Sequence, residues 1–155
     1  VSINVDPNNN QFASIDGILF TKDFETLLCF PPKHHFSSYR IPASVTLIDD
    51  KAFSWCQNLR SIIIPPSVTS IGTFAFYDCS NLESVTIPAS VSSIGAFVFL
   101  CCDHLESITI SPSVTSIGNF AIDFHKFHSV SVLHHLQTQS CNLPIGSEIS
   151  FYSDI

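Results

Sequence analysis

A 23-residue period constrains the fold of this chain more than any other feature. The similar segments IPASVTLIDDKAF, IPPSVTSIGTFAF, IPASVSSIGAFVF and ISPSVTSIGNFAI begin at Ile41, Ile64, Ile87 and Ile110. Self-similarity at a fixed period of this length is typical of repeat architectures. One unit cannot bury its apolar side chains alone, whereas units stacked at about 4.8 Å bury each column as a continuous ladder. The period therefore predicts a solenoid.

Apolar columns that recur at the same step identify the predicted core. Four of them are Val45, Val68, Val91 and Val114; Ile48, Ile71, Ile94 and Ile117; Leu59, Leu82 and Leu105; and Ile62, Val85 and Ile108. Two further columns form a predicted structural ladder of Phe53, Phe76 and Phe99 beside Cys56, Cys79 and Cys102. The cysteine column breaks at His125 and the leucine column at His128.

Each unit contains a segment with the alternation of a strand, as in NLESVTIP. Leu82, Val85 and Ile87 are predicted to point inward, whereas Ser84 and Thr86 point outward. A proline follows the strand in most units and ends the backbone pairing, because proline has no N–H to donate.

The segment after the second apolar pair is predicted to bend and then to form a short helical turn. We expect a positive-φ bend at Gly72, Gly95 and Gly118, with Asp49 as a tolerated substitute in the first unit. Residues 72–79 are long enough for a helical or 3₁₀ turn. The aromatic side chains Phe74, Phe76 and Tyr77 are predicted to fill the core.

The unit C-x-x-L-x-x-I-x-I-P-x-x-V-x-x-I-x-x-x-A-F resembles the BspA-like, Treponema-type leucine-rich repeat, and residues 41–132 carry the match. Residues 15–32 resemble the N-terminal hairpin of that family, with strands GILF and TLLCF joined by a turn at Lys22–Glu25. The resemblance implies an α/β-type leucine-rich-repeat solenoid. It would be strand-rich and right-handed, with short helical turns on its convex side and an N-terminal β-hairpin cap.

Three regions follow from these matches. Residues 1–40 are predicted to form the N-terminal cap, residues 41–132 four 23-residue repeats, and residues 133–155 a degenerate repeat or C-terminal cap. The last region is either a true cap or the point at which an array was truncated. His34 and His35, which lie in the linker after the hairpin, are predicted to be solvated.

Charge and motif content exclude several classes of function. The net charge is −7, and the six lysine and arginine residues are scattered singly, so the chain lacks the basic footprint of a nucleic-acid binder. No apolar run approaches the roughly 20 residues of a membrane-spanning helix. No nucleophile-elbow, P-loop, zincin or dinucleotide-binding motif is present, so we expect neither enzyme activity nor a cofactor.

The cysteine column and the late histidines each allow two interpretations. Stacked cysteines would lie near disulfide range, yet free cysteine is among the most buried residues, so we expect buried, unpaired thiols. His125, His128, His134 and His135 match no standard zinc spacing. Exposed histidines are therefore favoured over a metal site, and no metal is predicted.

The outward strand positions form the predicted concave binding face. Its residues are Arg40, Arg60, Ser61, Ile63, Glu83, Ser84, Thr86, Glu106, Ser107 and Thr109. Solenoids use such sheets as extended binding surfaces. The alternative is that these hydroxyls only keep the sheet face solvated.

The resemblance implies a protein-interaction module at the cell surface or in secreted form. Its expected role is adhesion to host or matrix proteins such as fibronectin and fibrinogen. Edge-to-edge self-association through the C-terminal turn is a further expectation. The alternative is a scaffold or spacer in the cytoplasm, which unpaired cysteines fit somewhat better.

Overall fold

Twelve strands, wound into about four solenoid turns, make up the computed structural model, which describes residues 1–122 and 129–132. In chain order the strands are β1 (Phe12–Ile15), β2 (Ile18–Thr21), β3 (Thr26–Cys29), β4 (Ser38–Arg40), β5 (Leu47–Ile48), β6 (Ser61–Ile63), β7 (Ser70–Ile71), β8 (Ser84–Ile87), β9 (Ser93–Ile94), β10 (Ser107–Ile110), β11 (Ser116–Ile117) and β12 (Ser129–Val132). The right-handed winding and the domain boundaries given above stay predictions.

Two sheets line the solenoid, and each repeat contributes one strand to both. The five-stranded sheet is parallel, in the order β12-β10-β8-β6-β4, and the seven-stranded sheet has the order β1-β2-β3-β5-β7-β9-β11. Residues one period apart are direct neighbours, as Ser84 is of Ser107 in the first sheet and Ser70 is of Ser93 in the second. The stacking that the period predicts is therefore confirmed.

Three antiparallel strands precede the repeats. The predicted strands GILF and TLLCF are β2 and β3, which pair antiparallel, and β3 then pairs parallel with β5. The additional strand β1, which pairs antiparallel with β2, was not predicted. These strands continue the seven-stranded sheet beyond its first repeat, while β4 forms the edge of the five-stranded sheet.

His34 is buried, with 2% of its surface exposed, so the prediction that it is solvated is wrong. Its Nε2 atom lies 2.7 Å from the carbonyl oxygen of Asp16, and the N–H of Phe36 donates to its Nδ1 atom. The side chain of Asn58 donates to its carbonyl oxygen at 3.0 Å. Both ring nitrogens have partners, which makes burial of the ring tolerable, and the residue links β1–β2 to the first repeat. His35 is exposed, as predicted.

No helix occurs in the described residues, so the predicted helical turns are not confirmed. The segments in question form a third side of the solenoid, which contains no strand. Alternate N–H groups there donate to the next turn, such as that of Phe76 to Val98 O at 3.1 Å. The intervening groups close tight turns, such as that of Ala75 to Gly72 O. A helix needs successive bonds within one segment, so this division of donors between two turns prevents one from forming.

The repeated glycines are required for close approach of the backbone and not for a bend, which corrects the prediction for Gly72, Gly95 and Gly118. None of them has a positive φ. A Cβ atom on Gly95 would lie 2.5 Å from the backbone nitrogen of Thr73 in the preceding turn. The positive-φ positions come two residues later, at Lys51, Phe74, Phe97 and Phe120, with φ between 53° and 60°.

A stack of phenylalanine rings, flanked by thiols, runs through the aliphatic core. The rings of Phe53 and Phe76 lie 4.9 Å apart, and those of Phe76 and Phe99 lie 5.4 Å apart, nearly parallel in both pairs. All three side chains are buried. Burial of one such side chain contributes about 1.5–3 kcal/mol, so the column is a major source of stability.

Candidate binding face

The five-stranded sheet buries one set of side chains and exposes the other. In β8, Val85 and Ile87 are buried while Ser84 and Thr86 are exposed, and β10 repeats the same alternation. Leu82 is also buried, so the orientation predicted for all five residues of this repeat is confirmed. The sheet presents polar side chains at fixed spacing on a backbone that every turn holds in register.

All ten residues predicted for the binding face lie on or directly before strands of this sheet. We call this set the five-stranded face: Arg40, Arg60, Ser61, Ile63, Glu83, Ser84, Thr86, Glu106, Ser107 and Thr109. All are exposed except Ser61, which is half-buried. Arg60, Glu83 and Glu106 precede their strands, and their N–H groups donate to the preceding turn, as that of Glu106 does to Glu83 O at 2.9 Å.

The Arg60–Glu83 ion pair of the five-stranded face is exposed to solvent and therefore weak. Arg60 Nη1 lies 3.3 Å from Glu83 Oε1, with 66% and 57% of the two side chains exposed. Exposed pairs of this kind contribute about 0–1 kcal/mol. A partner can therefore separate these two side chains at low cost.

Hydroxyls and one apolar side chain complete the face. Ser61 donates a hydrogen bond to the Ser38 hydroxyl at 2.8 Å, along the serine column. Ile63 occupies the position of Thr86 and Thr109 in its turn and is 44% exposed. The N-terminal end of the face, with Arg40, Arg60 and Ile63, thus differs in chemistry from the Ser–Thr rows that follow.

The thiols of Cys56, Cys79 and Cys102 are free and buried. Each donates to the carbonyl of a phenylalanine in the preceding turn, as Cys79 does to Phe53 O at 3.1 Å. Burial raises the pKa of Cys56 and of Cys102 to about 12 and that of Cys79 well above its usual value. These groups are packing elements with little thiolate character, which is the form that reacts or binds metal.

No cluster that could hold a metal ion occurs among the described residues. The four late histidines and Cys141 lie outside them, as does the C-terminal turn for which self-association was predicted. Within the described part of the chain, no helix is long and apolar enough to span a membrane.

The sequence analysis missed a second surface feature, of which it assigned two residues, Phe74 and Tyr77, to the core. On the strand-free side lie Trp55, Phe74, Tyr77, Phe97 and Phe120, which we call the aromatic strip. Trp55 is 53% exposed and Phe120 59%, and the other three are half-buried. The positive φ at Phe74, Phe97 and Phe120 distinguishes them from the buried Phe76 column. The one signal in the sequence is Lys51, a charged residue that occupies the same column in the first repeat.

Comparison with known proteins identifies the family. A family model described as a BspA type leucine rich repeat region matches residues 28–143 with six copies. This chain belongs to the BspA-type leucine-rich repeat family. The match extends beyond residues 41–132 on both sides.

Solved structures of bacterial leucine-rich-repeat proteins share the fold of this BspA-type chain. The pneumococcal vaccine antigen PcpA is 28% identical, with a TM-score of 0.80 over 84% of this chain and 33% of PcpA. A leucine-rich cell surface protein of Faecalibacterium prausnitzii is 26% identical, with a TM-score of 0.61 over 85% of this chain and 41% of that one. The chain thus spans about a third of the length of PcpA. No curated protein sequence matches it.

Proposed function

We propose that this chain is a non-catalytic protein-interaction module that binds a protein partner through its five-stranded face. The observation that supports this most directly is the alternation of β8 and β10, which presents exposed polar columns on a rigid parallel sheet. A sheet fixed by inter-turn hydrogen bonds loses little conformational entropy on binding, which favours affinity. The family consists generally of interaction modules.

We further propose a cell-surface or secreted location and an adhesin-type role. Among the proteins with this fold, one is named as a vaccine antigen and another as a cell surface protein. An extended face with several separated polar and charged groups suits a protein-sized ligand better than a small molecule, which needs a concave apolar pocket. The expected partners are host or matrix proteins, with fibronectin and fibrinogen the first to test.

Binding of the purified chain to a panel of matrix and plasma proteins at physiological salt tests the proposal. Saturable binding that is weakened at least about tenfold by Arg60→Glu or Glu83→Lys, a change of about 1.4 kcal/mol, would place the site on the five-stranded face. A double variant that combines Arg60→Glu with Glu83→Lys restores an ion pair at this site, but with the positions of the two charges exchanged. If the double variant also binds weakly, the partner contacts these two charges directly. If its binding recovers, the single variants had disturbed the local structure instead.

Lys51→Glu is the matched control, because Lys51 is an exposed cation on the strand-free side of the same repeat. We expect its binding to equal that of the unmodified chain. Failure to bind any panel member would favour the scaffold or spacer role, in which the array sets distances within a larger assembly. Binding that is equally reduced by Lys51→Glu would contradict placement on the five-stranded face.

A further inference from the structure

His34 is the only buried side chain of the described residues, apart from the cysteines, that titrates. Its Nε2 atom lies 2.7 Å from the carbonyl oxygen of Asp16, which can only accept a hydrogen bond. Its Nδ1 atom lies 3.3 Å from the backbone nitrogen of Phe36, whose N–H can only donate. The ring must therefore carry its proton on Nε2 and a lone pair on Nδ1, which is the neutral form of histidine.

Aromatic side chains enclose this ring and keep water away from it. The ring centroids of Phe30, His35 and Phe36 lie 4.9, 4.7 and 4.4 Å from that of His34. An ionised group that is buried without a partner is costly, because it loses the solvent that stabilises its charge. A second proton on the ring is therefore opposed by burial as well as by the donor that faces Nδ1.

The titratable groups around the ring do not provide a counter-ion. From the β1–β2 turn, Asp16 contacts the ring through its carbonyl oxygen, and its exposed carboxylate forms no ion pair with the ring in the described part of the chain. The loop between β3 and β4 contributes Lys33 and His35, which are exposed and carry either no charge or a positive one. Tyr39 of β4 stays neutral, because burial raises its pKa to about 12.

His34 joins three parts of the chain. Its Nε2 bond holds the β1–β2 turn through Asp16, and its Nδ1 bond holds the loop between β3 and β4 through Phe36. Its carbonyl oxygen accepts from Asn58 of the first repeat at 3.0 Å. A proton on Nδ1 would place a donor against the Phe36 N–H, so that bond would break. The charged ring would then reach solvent only by giving up the carbonyl of Asp16 as well.

We propose that His34 is an acid-sensitive latch, whose protonation withdraws the ring and frees the β1–β2 turn from the loop between β3 and β4. The open form accepts the proton freely, whereas the closed form must first break the Phe36 bond. By linkage, the closed form loses stability as the pH falls through the range in which histidines titrate, from about pH 8 to 5. Opening would also uncover Phe30, which stacks on Phe53 at the end of the core stack.

Amide hydrogen exchange of the full chain, followed by NMR at about pH 7.5 and about pH 5, spans this range and tests the latch. Rates are corrected for the intrinsic effect of pH on exchange. The reporters are the N–H of Phe36 and that of Ile3, which donates to Gly17 O in the β1–β2 turn. Both should lose protection at least about tenfold at the lower pH, as one linked proton allows. The N–H of Phe76 in the central turns should keep its protection.

His34→Gln removes the titrating group but keeps a side-chain donor that can reach the carbonyl of Asp16. We expect its Phe36 and Ile3 amides to show no added loss of protection at the lower pH. His35→Gln is the matched control, because His35 is the adjacent histidine and is exposed. It should behave like the unmodified chain.

The ring nitrogens of the unmodified chain give a second readout, which does not depend on the folding of any variant. Nitrogen-15 spectra should show the Nε2-protonated neutral ring while the reporter amides are protected, and the doubly protonated ring only as they lose protection. A doubly protonated His34 with both reporters still protected would overturn the latch. So would unchanged protection at the lower pH, an equal loss in His34→Gln, or an equal loss at Phe76, which would show acid unfolding of the whole solenoid.

Discussion

Two phenylalanine columns lie two residues apart in the second and third repeats and have opposite roles. Phe76 is fully buried between Phe53 and Phe99, whereas Phe74 and Phe97 are half-buried and Phe120 is exposed. The difference follows from backbone conformation, since the outer column has positive φ and the inner one does not. The same residue type therefore stabilises the fold at one position and forms a surface at the other.

Phe76→Ala is expected to destabilise the protein by about 3–5 kcal/mol, because it leaves a cavity in the ring stack. Urea unfolding followed by circular dichroism measures the loss. Phe120→Ala and Ser84→Ala are the controls, and at exposed sites each should change stability far less, with Ser84→Ala within about 0.5 kcal/mol. A loss under about 1 kcal/mol for Phe76→Ala would contradict the core assignment.

The buried thiols predict a loss of stability at alkaline pH. Burial raises the pKa of Cys56 and Cys102 from 9.0 to about 12. Above pH 9 the unfolded chain releases these protons and the folded chain keeps them, so stability falls as the pH rises towards 12. Each thiol contributes up to about 1.4 kcal/mol per pH unit in that window.

Urea midpoints under reducing conditions at neutral pH and near pH 10 test this effect. Cys79→Ala removes one thiol whose pKa is raised by burial. It should reduce the difference between the two midpoints, whatever its effect on stability at neutral pH. Ser84→Ala is the matched control, with an unchanged difference. An identical pH dependence in all three proteins would show that the thiols are not the cause.

At the scale of the element, the strand-free segment shows how two turns constrain each other. Its N–H groups alternate between bonds to the next turn and tight turns within the segment. A sequence search for helical spacing misses this arrangement, because the acceptors come from another repeat. The glycine at the start of this segment in three of the repeats is also required by a neighbouring turn, because a side chain there would collide with the backbone of the preceding turn.

Gly95→Ala is expected to destabilise the fold by about 1–3 kcal/mol or more, the typical cost of overpacking. The added Cβ would lie 2.5 Å from Thr73 N and 2.7 Å from Gly72 C, which are backbone atoms that cannot rotate away. Gly95→Asn should be no better tolerated, because the site needs space and not positive φ. Thermal or urea unfolding measures both, and rescue by asparagine alone would contradict the close-approach explanation.

At the scale of the whole molecule, stability depends on nearest-neighbour contacts between turns. β1–β3 form one end of the seven-stranded sheet. His34, whose ring bonds to Asp16 and Phe36 and whose carbonyl accepts from Asn58, ties that region to the first repeat. The hydrogen bonds of the central turns have a packed neighbour on both sides. Local opening is therefore easier at the ends than in the middle.

Hydrogen exchange is expected to be slowest at central inter-turn amides, such as Phe76 N–H, which bonds to Val98 O. Amides of β1 should exchange faster, because β1 is an edge strand that pairs only with β2. Exchange measured by mass spectrometry or NMR gives the profile. Uniform protection from β1 to β10 would show that the described solenoid opens as one cooperative unit.

The sequence alone determined the solenoid, the 23-residue register, the inward and outward residues of its strands, and the β2–β3 pair. All but the β2–β3 pair follow from a pattern repeated along the chain, and repetition forces equivalent residues into contact. The β2–β3 pair was predicted from two strand-like runs joined by a short turn, and from the resemblance of this segment to the hairpin of the family. Tertiary structure decided what depends on a single backbone angle or on a neighbouring turn: the burial of His34, the space at Gly95, and the separation of the Phe76 core from the exposed Phe120. The contacts of His34 join segments whose spacing carries no signal. At Gly95 and Phe120 the repeat brings the turns together, but only the folded backbone decides how closely they approach and which way a side chain points.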